Sequence, residues 1–165
     1  MVYALISIYH IRDVHWLINQ YGKPYLKEKK LFFNISHSEG MVVGAFNNHK
    51  MGIDIEKMCT FELSVASRFF TASENDYLKE SVNAREDFYR FWTLKEAYLK
   101  YRGVGLIELL SLISFSFSDG KITVSPAMNL SFFNHIVEYG YMLSVCYASD
   151  DDKHCINTID NAKKT

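Results

Sequence analysis

The chain has 165 residues, 48% of them apolar and 15% aromatic, with a net charge of −1. That length suits one domain with a core of ordinary depth; the charge balance gives no footprint for nucleic acid, and no run of lysines or arginines suggests a membrane surface. Three scattered cysteines, Cys59, Cys146 and Cys155, form no pair with metal-ligand spacing, which reads as reduced thiols in a cytoplasmic protein.

The apolar start, Val2 to Ile11, is a short helix or a strand, since periodicity cannot settle so brief a run. It is too short to cross a bilayer and has neither a basic leader nor a small-residue cleavage site, so no export or membrane anchoring is expected. Tyr21-Gly-Lys-Pro24 is a turn. Three strands follow, Leu31 to His37, Met41 to Asn47 and Lys50 to Glu56, separated by the turn-forming "SEG" and "NNHK", which predicts an antiparallel meander. Helical patterns cover Glu62 to Phe70, Ser73 to Ser81 and Ala84 to Arg102, with Ser73 as a cap and Gly103 as a stop. Strands return at Leu112 to Phe117, Lys121 to Ser125, Phe132 to Tyr139 and Tyr141 to Tyr147, Asp119-Gly120 marking a hairpin. From Ser149 the chain is a polar tail.

Within this order one short stretch raises a chemical question. In "GIDIEK", Met51, Ile53 and Ile55 face one side of a strand and Gly52, Asp54 and Glu56 the other. Two residues of rise set the acids roughly 6 to 7 Å apart, where they repel by about 1 kcal/mol or more at a protein surface. A lysine such as Lys57, plain solvation, or a metal ion would offset that. In the predicted meander His37 and Glu56 reach the same sheet edge, roughly 10 Å apart, a gap that a diphosphate bridges; a lone histidine near a turn is otherwise solvated.

The long helix carries Phe88, Phe91, Trp92, Tyr98 and Leu99 at core spacing. Lys95 falls inside that stripe and must pair or snorkel. Glu96 and Lys100 stand one turn apart, as a surface ion pair or as groups turned toward the acids and a phosphate. Three carboxylates suit Mg²⁺, with water and phosphate completing its shell.

"FNISHSEGMVVGAF", "GIDIEK", "RFFTASE" and "FWTLKEAYLKYRGVGL", in this order, together with "QYGKP", resemble the 4′-phosphopantetheinyl transferases of the surfactin-synthetase type, from about Tyr21 to Tyr147. The resemblance implies an α+β fold of two pseudo-symmetric halves, each of helix and antiparallel sheet, with the first half abbreviated. Residues 1–50 would be its remnant, 51–148 the second half of a single domain, and 149–165 the tail. It implies transfer of phosphopantetheine from coenzyme A to a serine of an apo acyl or peptidyl carrier protein, with Mg²⁺. Asp54, Glu56 and Glu96 match the family's metal-binding acids, and His37 and Lys100 its phosphate contacts. Ser36 and the loop Tyr21, Gly22, Lys23 and Pro24 match positions lining the coenzyme's nucleoside, Lys95 becomes a helper, and Glu96 is the candidate base. Weaker alternatives are a module that binds coenzyme A or a carrier without turnover, and a Mg²⁺-dependent diphosphate hydrolase. A short first half would leave apolar surface open around Leu31 to Phe33 and Met41 to Phe46, which points to a homodimer.

Overall fold

The computed structural model describes residues 15–27, 31–105, 107–137 and 140–149; the Val2 to Ile11 run and the tail beyond Ser149 lie outside them. The first elements are hairpins. Strands β1 (Trp16–Ile18) and β2 (Pro24–Leu26) flank the expected turn, where Gly22 takes φ +84°, a left-handed conformation suited to glycine. The alternation over so few residues was too short to mark either strand. Strands β3 (Phe32–Ser38) and β4 (Met41–Asn47) pair as expected, with His37 opposite Val42 and Ser38 opposite Met41 across the Glu39-Gly40 turn.

The meander stops there. β5 (Met51–Lys57) does not continue the β3–β4 ladder; it pairs antiparallel with β9 (Tyr141–Ala148), which also pairs with β8 (Leu130–Val137), giving the order β5-β9-β8. β5 is buried continuously from Met51 to Ile55 and β9 from Tyr141 to Cys146, so two strands covered on both faces pair with each other in the interior. A turn-like composition at Asn48-His49 specifies only that the chain bends, not which edge it then joins. As expected, Met51, Ile53 and Ile55 share one face, where they pack with Leu143 and Val145 and, from β4, Met41, Val43 and Ala45.

Three helices follow β5: α1 (Leu63–Phe69), α2 (Ala72–Glu80) and α3 (Ala84–Arg102). The cap of α2 is Thr71 in place of Ser73, because Thr71 and Glu74 stand at the spacing at which each side chain bonds the other's backbone N–H. α3 ends at Gly103, in the left-handed conformation with its N–H bonded to Leu99 O. The segment predicted as a strand from Leu112 begins as a 3₁₀ helix (Ile107–Leu112), and β6 (Ser114–Ser118) starts two residues later. β6 turns at Asp119-Gly120, both at positive φ, into β7 (Lys121–Ser125).

α3 lies on the Gly52–Asp54–Glu56 face of β5. A Cβ on Gly52 would sit 2.0 Å from Ala97 O and 2.4 Å from Tyr101 N, so only glycine admits the helix this close. On its other side α3 buries Phe88, Phe91, Leu94 and Leu99 among Ala66, Phe70 and Leu110. The apolar surface expected to stand open at Leu31 and Phe33 is closed, packed with Leu26, Trp16 and Phe46. Val42 remains 69% exposed.

Candidate functional site

β5 is an edge strand of its sheet, and its free edge is met by β3 through side chains instead of a backbone ladder. Asn34 Oδ1 accepts from Ile53 N (2.8 Å), Ser36 Oγ from Ile55 N (3.3 Å) and Ser38 Oγ from Lys57 N (3.1 Å), at a constant offset of 19 residues. A constant offset means that the two strands run parallel. The same hydroxyls turn their protons to the acids, Ser36 to Asp54 Oδ1 and Ser38 to Glu56 Oε2, each at 2.9 Å. The two-residue period of "NISHS" thus interlocks with that of "GIDIEK".

From the other side α3 brings Lys100. Its ammonium lies 2.6 Å from Asp54 Oδ1 and donates to Ser36 Oγ at 2.8 Å. The cation that answers the paired acids is therefore Lys100; Lys57, the sequence neighbour, lies over the Tyr141 ring. Asp54 is 2% exposed and its second oxygen, Oδ2, is buried with no partner. Burial raises the Asp54 carboxyl to about 6, against the pull of Lys100 and with a further push from Glu56. Glu96 is raised to about 7, first by burial and then by Asp54 and Glu56.

Glu56 thus disfavours the charge of Asp54, both disfavour that of Glu96, and Asp54 keeps one oxygen without a partner. Their oxygens are hard donors of the kind Mg²⁺ takes, so donor chemistry and charge fit the ion. They are not drawn up as a finished ligand set: among the described residues no three of His, Cys, Asp or Glu converge as a metal centre.

The remaining expected residues divide. The Tyr21 to Pro24 turn docks on the end of α3: Asn19 accepts from Tyr21 N and Lys23 N and donates to Gly103 O, each at 2.9 Å. The Lys23 ammonium donates to Met51 O and to Lys100 O. Burial, then the charges of Lys50 and Lys100, lower it to about 8. A cleft of about 410 Å³ opens here, lined by Lys23, Pro24, Phe33, Lys50 and Arg102 among others. Lys100 links the two places, its backbone held by Lys23 and its side chain by Asp54.

His37 and Lys95 do not join this group. Alternation along β3 aims Asn34, Ser36 and Ser38 at β5, so His37, paired with the exposed Val42, faces away. β3 lies directly beside β5, and Ser38, the next residue, bonds Glu56, but no meander joins the two strands and the His37 side chain is on the outer face. Lys95 is fully buried, 2.9 Å from Glu74 Oε2, and donates to Leu110 O (2.6 Å) and Ile113 O (2.5 Å). An ammonium has three protons, and these partners take all of them. Lys95 therefore fastens α3 to α2 and to the 3₁₀ segment and has no donor left for a coenzyme. Ser36 is likewise committed, its proton to Asp54 and its lone pairs to Ile55 N and Lys100. Sequence reasoning missed Asn34 and Ser38; the matched two-residue periods were the signal that could have found them.

The chain as a whole resembles known proteins. Residues 50–156 match the model of the 4′-phosphopantetheinyl transferase superfamily. The chain is 38% identical over 148 residues to the 4′-phosphopantetheinyl transferase ffp of Bacillus subtilis, and 36% identical over 148 residues to Sfp of Bacillus subtilis strain 168. Each match covers 84% of this chain and 65% of the relative, so the chain spans about two thirds of their length. Among solved structures, the holo-[acyl-carrier-protein] synthase of Neisseria meningitidis shares the fold with a TM-score of 0.52 at 20% identity, over 61% of this chain and 98% of that one. Because the matched family region takes in β5, α3 and β9, the elements that carry and brace the acids and Lys100, the chain belongs to the 4′-phosphopantetheinyl transferase superfamily.

Proposed function

We propose that the chain transfers the 4′-phosphopantetheine group of coenzyme A to a serine hydroxyl of an apo acyl or peptidyl carrier protein, with Mg²⁺. The observation that carries the reading is Asp54: a buried carboxylate with one oxygen held by Lys100 and Ser36 and the other without a partner, facing two further acids. Within a member of this superfamily, that is a site short of one cation and suited to a diphosphate. Residues 1–50 are read as what the chain holds of a first half and 51–148 as the second, in a cytoplasmic protein.

Asp54, Glu56 and Glu96 would hold Mg²⁺, which when bound supplies charge neutralisation to the diphosphate. In the transfer, the carrier serine oxygen forms a bond to the phosphorus that bears pantetheine, and the bond from that phosphorus to 3′,5′-ADP breaks. Glu96, raised toward neutrality, takes the hydroxyl proton. Lys100, released from Asp54, offsets charge on the departing 3′,5′-ADP. The Lys23 turn and its cleft would carry the nucleoside end, and His37 would reach the coenzyme only from the outer face of the β3–β4 hairpin.

The test is the intact mass of an apo carrier protein incubated with the chain, coenzyme A and Mg²⁺. A carrier heavier by one phosphopantetheine, with 3′,5′-ADP in equal amount, supports transfer. Cleaved coenzyme with an unmodified carrier indicates hydrolysis, and neither product indicates binding without turnover.

A further inference from the structure

We propose that Ser38 is a positioning residue for Glu56: its hydroxyl, oriented by the backbone of β5, aims the Glu56 carboxylate for divalent-cation binding. The inference rests on the reading of Asp54, Glu56 and Glu96 as the cation-binding acids. Ser38 Oγ accepts from Lys57 N at 3.1 Å and donates to Glu56 Oε2 at 2.9 Å. A serine hydroxyl has one proton. With its lone pair fixed by a strand N–H, that proton is directed at the carboxylate, and the rotation of Glu56 is tied to the frame of β5. Groups that bond a metal-binding side chain from behind orient it in this way, and their loss typically costs roughly 10- to 100-fold in metal affinity.

The bland account is that Ser38 only satisfies the open edge of β5. The seam contains its own control. Asn34 takes the Ile53 N–H as Ser38 takes that of Lys57, but the residue preceding Ile53 is Gly52, which has no carboxylate to hold. Where β5 carries Asp54 and Glu56, β3 presents hydroxyls that both accept and donate. Sealing the edge needs an acceptor; serving an acid needs a donor as well.

The experiment is calorimetric titration of Mn²⁺ into the full chain without coenzyme, with thermal melting run in parallel. Ser38→Ala is expected to weaken Mn²⁺ binding roughly tenfold or more with little change in melting temperature. Ser38→Thr, which keeps the hydroxyl, should restore it. Asn34→Ala should lower the melting temperature yet leave the Mn²⁺ affinity of the folded protein unchanged. If Ser38→Ala does not fold, Ser38→Cys, similar in size and a poor donor, should show the same loss. Mn²⁺ affinity unchanged in the Ser38 variants, equal losses at Asn34 and Ser38, or no Mn²⁺ binding by the wild type would overturn the proposal. The transfer reading fails separately. A wild type that binds Mn²⁺ through Ser38 but leaves a carrier unmodified sinks transfer and keeps Ser38, whereas full transfer by Ser38→Ala at wild-type metal demand does the reverse.

Discussion

The Lys100 ammonium lies 2.6 Å from Asp54 Oδ1, joining the last turn of α3 to the middle of β5. A side-chain cation thus stands where the acids call for one, so a divalent ion and Lys100 compete for Asp54. Lys100→Met should therefore tighten Mn²⁺ binding without coenzyme, by roughly five- to tenfold for a coupling of ordinary size. It should also raise the KM for coenzyme A and slow transfer. Weaker Mn²⁺ binding in the variant would mean that Lys100 supports the cation site instead of competing for it.

At Gly52 the backbones of β5 and α3 come too close for a side chain. In Gly52→Ala the new methyl would meet the backbone of Ala97 and Tyr101, groups that cannot rotate aside. A loss of about 4 kcal/mol or more is expected, in the range reserved for severe steric lesions. Urea unfolding of the purified variant measures it; a soluble variant within about 1 kcal/mol of wild type would show that α3 sits farther from β5.

Lys95 and Glu74 form a fully buried pair. Lys95→Met strands the Glu74 carboxylate, and breaking such a pair typically costs about 3 to 5 kcal/mol. The double variant Lys95→Met/Glu74→Gln should lose less than the two single losses together, because the interaction is removed with both its partners. The folded fraction of Lys95→Met should keep the wild-type KM for coenzyme A. A raised KM would return Lys95 to the coenzyme site.

Lys23 titrates from an ordinary 10.5 down to about 8 because its ammonium is partly buried. The charged groups facing it are Lys50 on the β4–β5 connection and Lys100 on α3, with the Cys146 thiol on β9. Between pH 8 and 10.5 the folded chain has released this proton while the unfolded chain still holds it, so this group's contribution to stability rises with pH across that window. Below it, both states are protonated and the full penalty remains. The stability of wild type relative to Lys23→Met should accordingly increase from pH 8 to 10; a flat difference would place the ammonium in water.

The sequence made α3 legible almost to the residue, because a long apolar stripe ends at a glycine with φ +69°. It also paired Asp54 with Glu56 on one face of a strand, since the two-residue period is a local property. What it hid were relations across the chain. Lys95 was recognisable as a charge in an apolar stripe, yet its partner Glu74 belongs to α2, and no helical wheel contains it. Lys57 was the nearby cation, while the actual partner of Asp54 comes from α3. The β5–β9 pairing joins segments far apart in the chain, and turn composition does not encode that. For His37 the meander supplied the wrong route to Glu56, which β3 meets directly through Ser38.

The central claim, that Asp54, Glu56, Glu96 and Lys100 serve a single phosphopantetheine transfer site, is tested most directly by intact-protein mass spectrometry of an apo carrier with coenzyme A and Mg²⁺. Wild type would be compared with Asp54→Asn, which keeps the shape of the buried side chain and removes its charge. The account predicts that wild type adds one phosphopantetheine per carrier and that Asp54→Asn, folded to the same extent, adds none on the same timescale. A carrier left unmodified by folded wild type at saturating Mg²⁺, or modified equally well by Asp54→Asn, would contradict it.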